Sequence, residues 1–184
     1  MTAQSWRSHY EQKYQYSLRL FLLLNLVSSV LSLVSPLFTV ITFTLPCFLI
    51  VACSTVLLLW HCKFSQHKIN IPVISLLFGL LWAWHVALKA MVMGPPHFNY
   101  LVIALLSVLF IGTIAFSSNI IGFTLHSLPT YLICLILGGG EQWLRMSWCF
   151  LLPIAGITLQ SLIQKRSDVF TQGLMDKLLK ERNT

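Results

Sequence analysis

The sequence predicts an all-α, polytopic membrane protein with six transmembrane helices and both termini in the cytoplasm. Three observations carry that reading. The first is composition. Of 184 residues 57% are hydrophobic and 9% are charged, with a mean hydropathy of +0.79, whereas a soluble domain is about a quarter charged. This excludes a soluble enzyme domain, a disordered chain and a disulfide mini-protein. The second is the placing of the charges. No charged residue occurs in the 43 positions between Arg19 and Lys63, the 20 between Lys68 and Lys89, the 51 between Lys89 and Glu141, or the 19 between Arg145 and Lys165. A bilayer core about 30 Å thick needs about 20 helical residues per crossing, so the windows hold two, one, two and one. The third is the sign asymmetry. Arg7, Lys13, Arg19, Lys63, Lys68, Lys165, Arg166, Lys177, Lys180 and Arg182 fall on one side, and only Lys89 and Arg145 on the other. Basic residues concentrate on the cytoplasmic side.

Each span follows in order. The windows lack period-2 alternation, so helices must satisfy the backbone. The first helix is expected over Tyr16–Val34, with Arg19 reaching back to the headgroups and Ser35-Pro36 as the turn. The second is expected over Leu37–Trp60, kinked at Pro46. A polar loop, His61–Asn70, leads to the third over Pro72–Leu88, proline being tolerated at a helix start. Gly94-Pro95-Pro96 marks a loop over Met91–Asn99. The fourth is expected over Tyr100–Phe116, with a turn at Ser117-Ser118-Asn119. The fifth runs over Ile120–Leu137 with Pro129 inside, ended by Gly138-Gly139-Gly140. The sixth runs over Trp143–Ile163 with Pro153 inside. Residues 1–15 form a cytoplasmic tail, 16–163 the six-helix domain, and 164–184 a cytoplasmic amphipathic linker helix. Leu20–Val34 has no A-x-A-like site after it, so it reads as a retained helix rather than a signal peptide.

Neither tail has the roughly 40 residues that independent folding usually takes. The chain is therefore expected to work inside the membrane or to be the membrane part of something longer. The net charge of +7 is explained by a basic rim beside anionic lipid, with no nucleic-acid partner.

The chemistry is sparse. There is no H-E-x-x-H, G-x-S-x-G or Walker loop, and no Asp or Glu lies in an apolar window. That argues against a proton-driven pump and against an enzyme. No metal or cofactor is expected. Cys47, Cys53, Cys134 and Cys149 read as small core hydrophobes, and Cys62 lies at a membrane edge beside Lys63. His85 and Lys89 are four apart and share a helix face. They read either as an interhelical hydrogen-bonder with an outward-reaching lysine, or as the lining of a ligand pocket. Trp82, Trp84 and His126 join them as candidate ligand-binding residues. Asn25 and Gln160 read as interhelical glue. In the tail, Phe170, Leu174 and Leu178 recur every four residues among charged positions. That is an amphipathic stripe and a candidate signal relay. It suits either a membrane-surface helix or a dimerising linker.

The stretch from Leu76 to Asn183 resembles the six-helix N-terminal membrane modules, often called MASE-type, of bacterial diguanylate cyclases, cyclic-di-GMP phosphodiesterases and histidine kinases. The residues that carry the likeness are Gly79-Leu80-Leu81-Trp82, the loop Gly94-Pro95-Pro96, Ser117-Ser118 leading to Phe123, Leu128 and Pro129, and Gln164-Lys165-Arg166 entering the charged tail. The resemblance implies a sensory or regulatory role, the bacterial inner membrane and a homodimer. It also implies a cytoplasmic output domain in the same chain or another, and a small-molecule or lipid ligand. It supplies no ligand residues. A small transporter, channel or membrane-complex subunit is the other expectation. Pro46, Pro129 and Pro153 are expected hinges.

Overall fold

A computed structural model describes residues 3–34, 44–64, 69–93, 98–116, 119–138 and 143–184. The described residues form six helices: α1 (Ala3–Val34), α2 (Leu45–Lys63), α3 (Ile71–Met93), α4 (Phe98–Ala115), α5 (Ile120–Gly138) and α6 (Trp143–Arg182). Four of them, α1, α2, α3 and α5, contain stretches long and apolar enough to cross a membrane, while the described apolar part of α4 is shorter, Tyr100–Ala115. Their outer faces carry Leu23, Val27, Val56, Leu59, Leu80 and Ile136, all exposed. Such a surface suits lipid and would aggregate in water. The chain is a helical membrane protein.

Caps explain the helix starts. The Thr44 side chain accepts the Cys47 N–H at 3.4 Å, and Pro46 sits in the first turn of α2. At that position proline costs no helical hydrogen bond. The expected second helix from Leu37, with a kink at Pro46, is therefore corrected. α2 begins at Leu45 and gains length at its other end by running on to Lys63. Asn119 caps α5 by accepting the Gly122 N–H at 3.1 Å. α3 runs to Met93, five residues beyond the expected end. α1 starts at Ala3, inside what was expected to be a tail. α6 shows no break between the expected sixth span and the linker: one helix covers both. The expected turns at Ser35-Pro36, Gly94-Pro95-Pro96, Ser117-Ser118 and Gly139-Gly140 lie outside the described residues.

Contacts define two ends of the bundle. At one end the Tyr14 hydroxyl donates to the Ile69 carbonyl and Arg19 Nε lies 3.3 Å from His61 Nδ1. At the other, Ser32 and Thr44 meet His85, and Tyr131 Oη meets Ser147 Oγ at 2.8 Å. α6 therefore starts at the His85 end and passes the Arg19 end. Its 40 residues span about 60 Å at about 1.5 Å each.

Among the described residues the most extensive helix pair is α3 with α5. A Cβ on Gly79 would lie 2.6 Å from the His126 carbonyl oxygen and 2.9 Å from that of Leu125. Only glycine lets the backbones come this close. Pro129, inside α5, removes the donor that the Leu125 carbonyl would otherwise bind. The Phe21 ring anchors this seam. It lies 5.4 Å from Phe78, 4.7 Å from Phe116 and 5.0 Å from His126, centroid to centroid. Although consecutive, α3 and α4 touch little, because α4 leans on α5.

Candidate functional site

The gap between α1, α3 and α4 is a cavity of about 390 Å³, within the usual range for small-molecule sites. Residues three and four apart stack on one helix face. That spacing brings Trp82, His85, Val86 and Lys89 of α3 to the cavity. α1 contributes Ser28, Leu31 and Ser32. α4 contributes a stripe from Tyr100 through Ile103 and Ser107 to Ile111, which is about 16 Å long at about 1.5 Å per residue.

One end of the cavity is polar. Ser32 Oγ lies 3.0 Å from His85 Nε2 and accepts from Lys89 Nζ at 3.4 Å. Thr44 Oγ1 lies 2.5 Å from His85 Nδ1. Since Thr44 Oγ1 already accepts the Cys47 N–H, its own hydroxyl hydrogen is available to Nδ1. His85 then carries its proton on Nε2 and donates to Ser32, an assignment made from the donor inventory. His85 is 2% exposed and Lys89 8%. The floor is fixed as well. Trp82 Nε1 donates to Asn25 Oδ1 at 2.7 Å, and Asn25 Nδ2 donates to the Phe21 carbonyl at 2.8 Å. The Trp82 and His85 rings meet edge to face at 5.7 Å.

The remaining candidates lie elsewhere. Trp84, two residues from Trp82, points off the opposite side of α3 and is 44% exposed. His126 is fully buried in the α3–α5 seam. Neither ring nitrogen of His126 has a well-aligned hydrogen bond among the described residues, and nearby Ser75, Ser127 and Thr130 likewise have orphan hydroxyls. Phe170, Leu174 and Leu178 are exposed along α6. Among the described residues no group of His, Cys, Asp or Glu has metal-ligand geometry.

Ser32 and Thr44 were not among the expected site residues. The i,i+4 pair Ser28 and Ser32 on one face of α1 was a usable sign. So was threonine just before Leu45-Pro46, a helix-start signature.

No protein-family model, curated protein or solved structure matches the chain.

Proposed function

We propose that the chain is a membrane-integral sensory or regulatory module of the bacterial inner membrane. It would cross six times with both ends in the cytoplasm. A small-molecule or lipid ligand would enter the α1–α3–α4 cavity, and helix repacking would be relayed through α6 to a cytoplasmic output domain of cyclic-di-GMP or kinase type. The observation that carries the reading is the path from cavity to tail. α4 walls the cavity and packs on α6, and α6 continues without interruption to Arg182. At 18 residues, α4 is about 27 Å long, close to the bilayer core, which supports counting it as a span. The likeness of Leu76–Asn183 to MASE-type modules supports the signalling role, and the Phe170, Leu174 and Leu178 stripe suits a homodimer.

The test is a dimerisation-dependent reporter fused after Thr184. A two-residue insertion at Gly173 turns the following helix by about 200° and should change output several-fold. Unchanged output would sink helical transmission.

A second reading is a small transporter, channel or complex subunit, and the buried His85–Lys89 pair favours it. Flux in proteoliposomes that His85→Ala and Lys89→Ala abolish would establish that reading in place of the first.

A further inference from the structure

We infer that the α1–α3–α4 cavity takes an anionic amphiphile, with its carboxylate or phosphate on Lys89 and its hydrocarbon tail along α4. The inference rests on the ligand-binding part of the proposed function and names the ligand class.

Charge is the first support. Among the described residues, Lys89 is the one lysine or arginine lining the cavity. The chain has five acidic residues, Glu11, Glu141, Asp168, Asp176 and Glu181. Glu11 and the three on α6 belong to the opposite end of the bundle, and Glu141 lies outside the described residues. No carboxylate among the described residues pairs with Lys89, whose hydrogen-bond partner is the Ser32 hydroxyl. A buried charge without a counter-charge is costly. The C-terminal end of α1, beside Ser32, lends Lys89 partial negative charge, which falls short of a full counter-charge. Ser32 and the His85 ring beside it give an anion further polar neighbours.

Shape is the second support. The charged group and the ring nitrogens lie at the end nearest the helix termini; of the two serines further along, Ser107 gives its hydroxyl to the Ile103 carbonyl and Ser28 lines the α1 wall. Beyond that end the walls are Val86, Ile103, Val108 and Ile111, with the fixed Trp82 ring as floor. The rim is accessible from the side. Leu31 and Ile103 are 57% and 45% exposed, while Val86 and Val108 behind them are buried. A cavity that opens laterally on an apolar surface admits a molecule already dissolved in lipid. A charged head near the membrane boundary and a tail toward its middle is the orientation such a molecule brings with it.

Two sources share this chemistry: a free fatty acid and an anionic lipid of the bilayer. Equilibrium binding of radiolabelled dodecanoate, against methyl dodecanoate, would be measured on the full chain in phosphatidylcholine nanodiscs. The acid should bind roughly tenfold or more tighter than the ester, as a hydrogen bond to a charge implies. Each methylene added from octanoate upward should tighten binding about fourfold until the cavity is full. Lys89→Gln should erase the preference for the acid and leave ester binding in place, and Lys89→Arg should retain it. Ile103→Trp, at the exposed rim, should weaken both ligands without disturbing the polar cluster. Glu141→Gln should leave the preference intact or strengthen it. With phosphatidylglycerol in the nanodisc, loss of dodecanoate binding assigns the site to bilayer lipid, and retained binding assigns it to the free acid. Equal binding of acid and ester, a preference that survives Lys89→Gln, or its loss in Glu141→Gln would overturn the inference. If ester and acid bind alike but the reporter after Thr184 responds, sensing stands and the anionic class falls. If the acid binds and the reporter stays silent, the reverse holds.

Discussion

His85 and His126 are both buried histidines in apolar helices, and the structure treats them in opposite ways. His85 has a hydroxyl on each ring nitrogen and faces a cavity. His126 has no well-aligned hydrogen bond on either nitrogen among the described residues; its ring lies beside the Ser75 backbone and meets Phe21 edge to face. α3 is the boundary between them. One face carries Gly79 and closes on α5 with no space for a methyl group. The other carries His85 and Lys89 and leaves a gap large enough for a ligand. Polarity in a span therefore marks a site only where partners and space accompany it.

Substitutions should separate the two regions, and the largest effect should fall on the seam. Gly79→Ala drives a methyl group into backbone carbonyls that move only if α3 and α5 part, so it should cost about 3 kcal/mol, read as a lower denaturation midpoint in detergent. Gly173→Ala is its control. Nothing lies within 4 Å of a Cβ there, and a gain of about 0.5 kcal/mol is expected from helix propensity.

Next come the histidines. His85→Leu leaves Ser32 and Thr44 facing an apolar side chain and should cost about 2 kcal/mol. His126→Leu removes two nitrogens that lack well-aligned hydrogen bonds, so its cost should stay under about 1 kcal/mol. The same denaturation series reads both, and the reverse order would break the comparison. Asn25→Leu strands Trp82 Nε1 and should cost about 1.5 kcal/mol. It should also loosen the cavity floor, seen as faster depolarisation of Trp82 fluorescence in a single-tryptophan background.

Much of this was legible in the residues. α5, expected over Ile120–Leu137 and found over Ile120–Gly138, carries strong signals at both ends, Asn119 at the start and a glycine run at the finish. The start of α2 is less legible, because Pro36 and Pro46 each suit a first turn and only the capping Thr44 decides between them. The sequence divides α6 at Ile163 because its polarity changes there. Polarity reports the surroundings of a helix, however, and nothing between Gly156 and Gly173 interrupts the helix itself. At the site, the spacing of Trp82, His85 and Lys89 already placed them on one face. The same rule puts Trp84 on another face of α3, since positions two apart diverge around a helix. Ser32 and Thr44 come from other helices, and only tertiary packing shows that they converge on His85.

The most direct test joins the cavity to the tail. Genetically encoded nitroxide residues at Val56 on α2 and Leu174 on α6 are both exposed, and their separation can be measured by pulsed electron resonance in nanodiscs. Saturating dodecanoate should shift the distance distribution in the wild-type background and leave it unchanged in Lys89→Gln. An unshifted distribution with the cavity demonstrably filled would contradict the coupling of this site to α6.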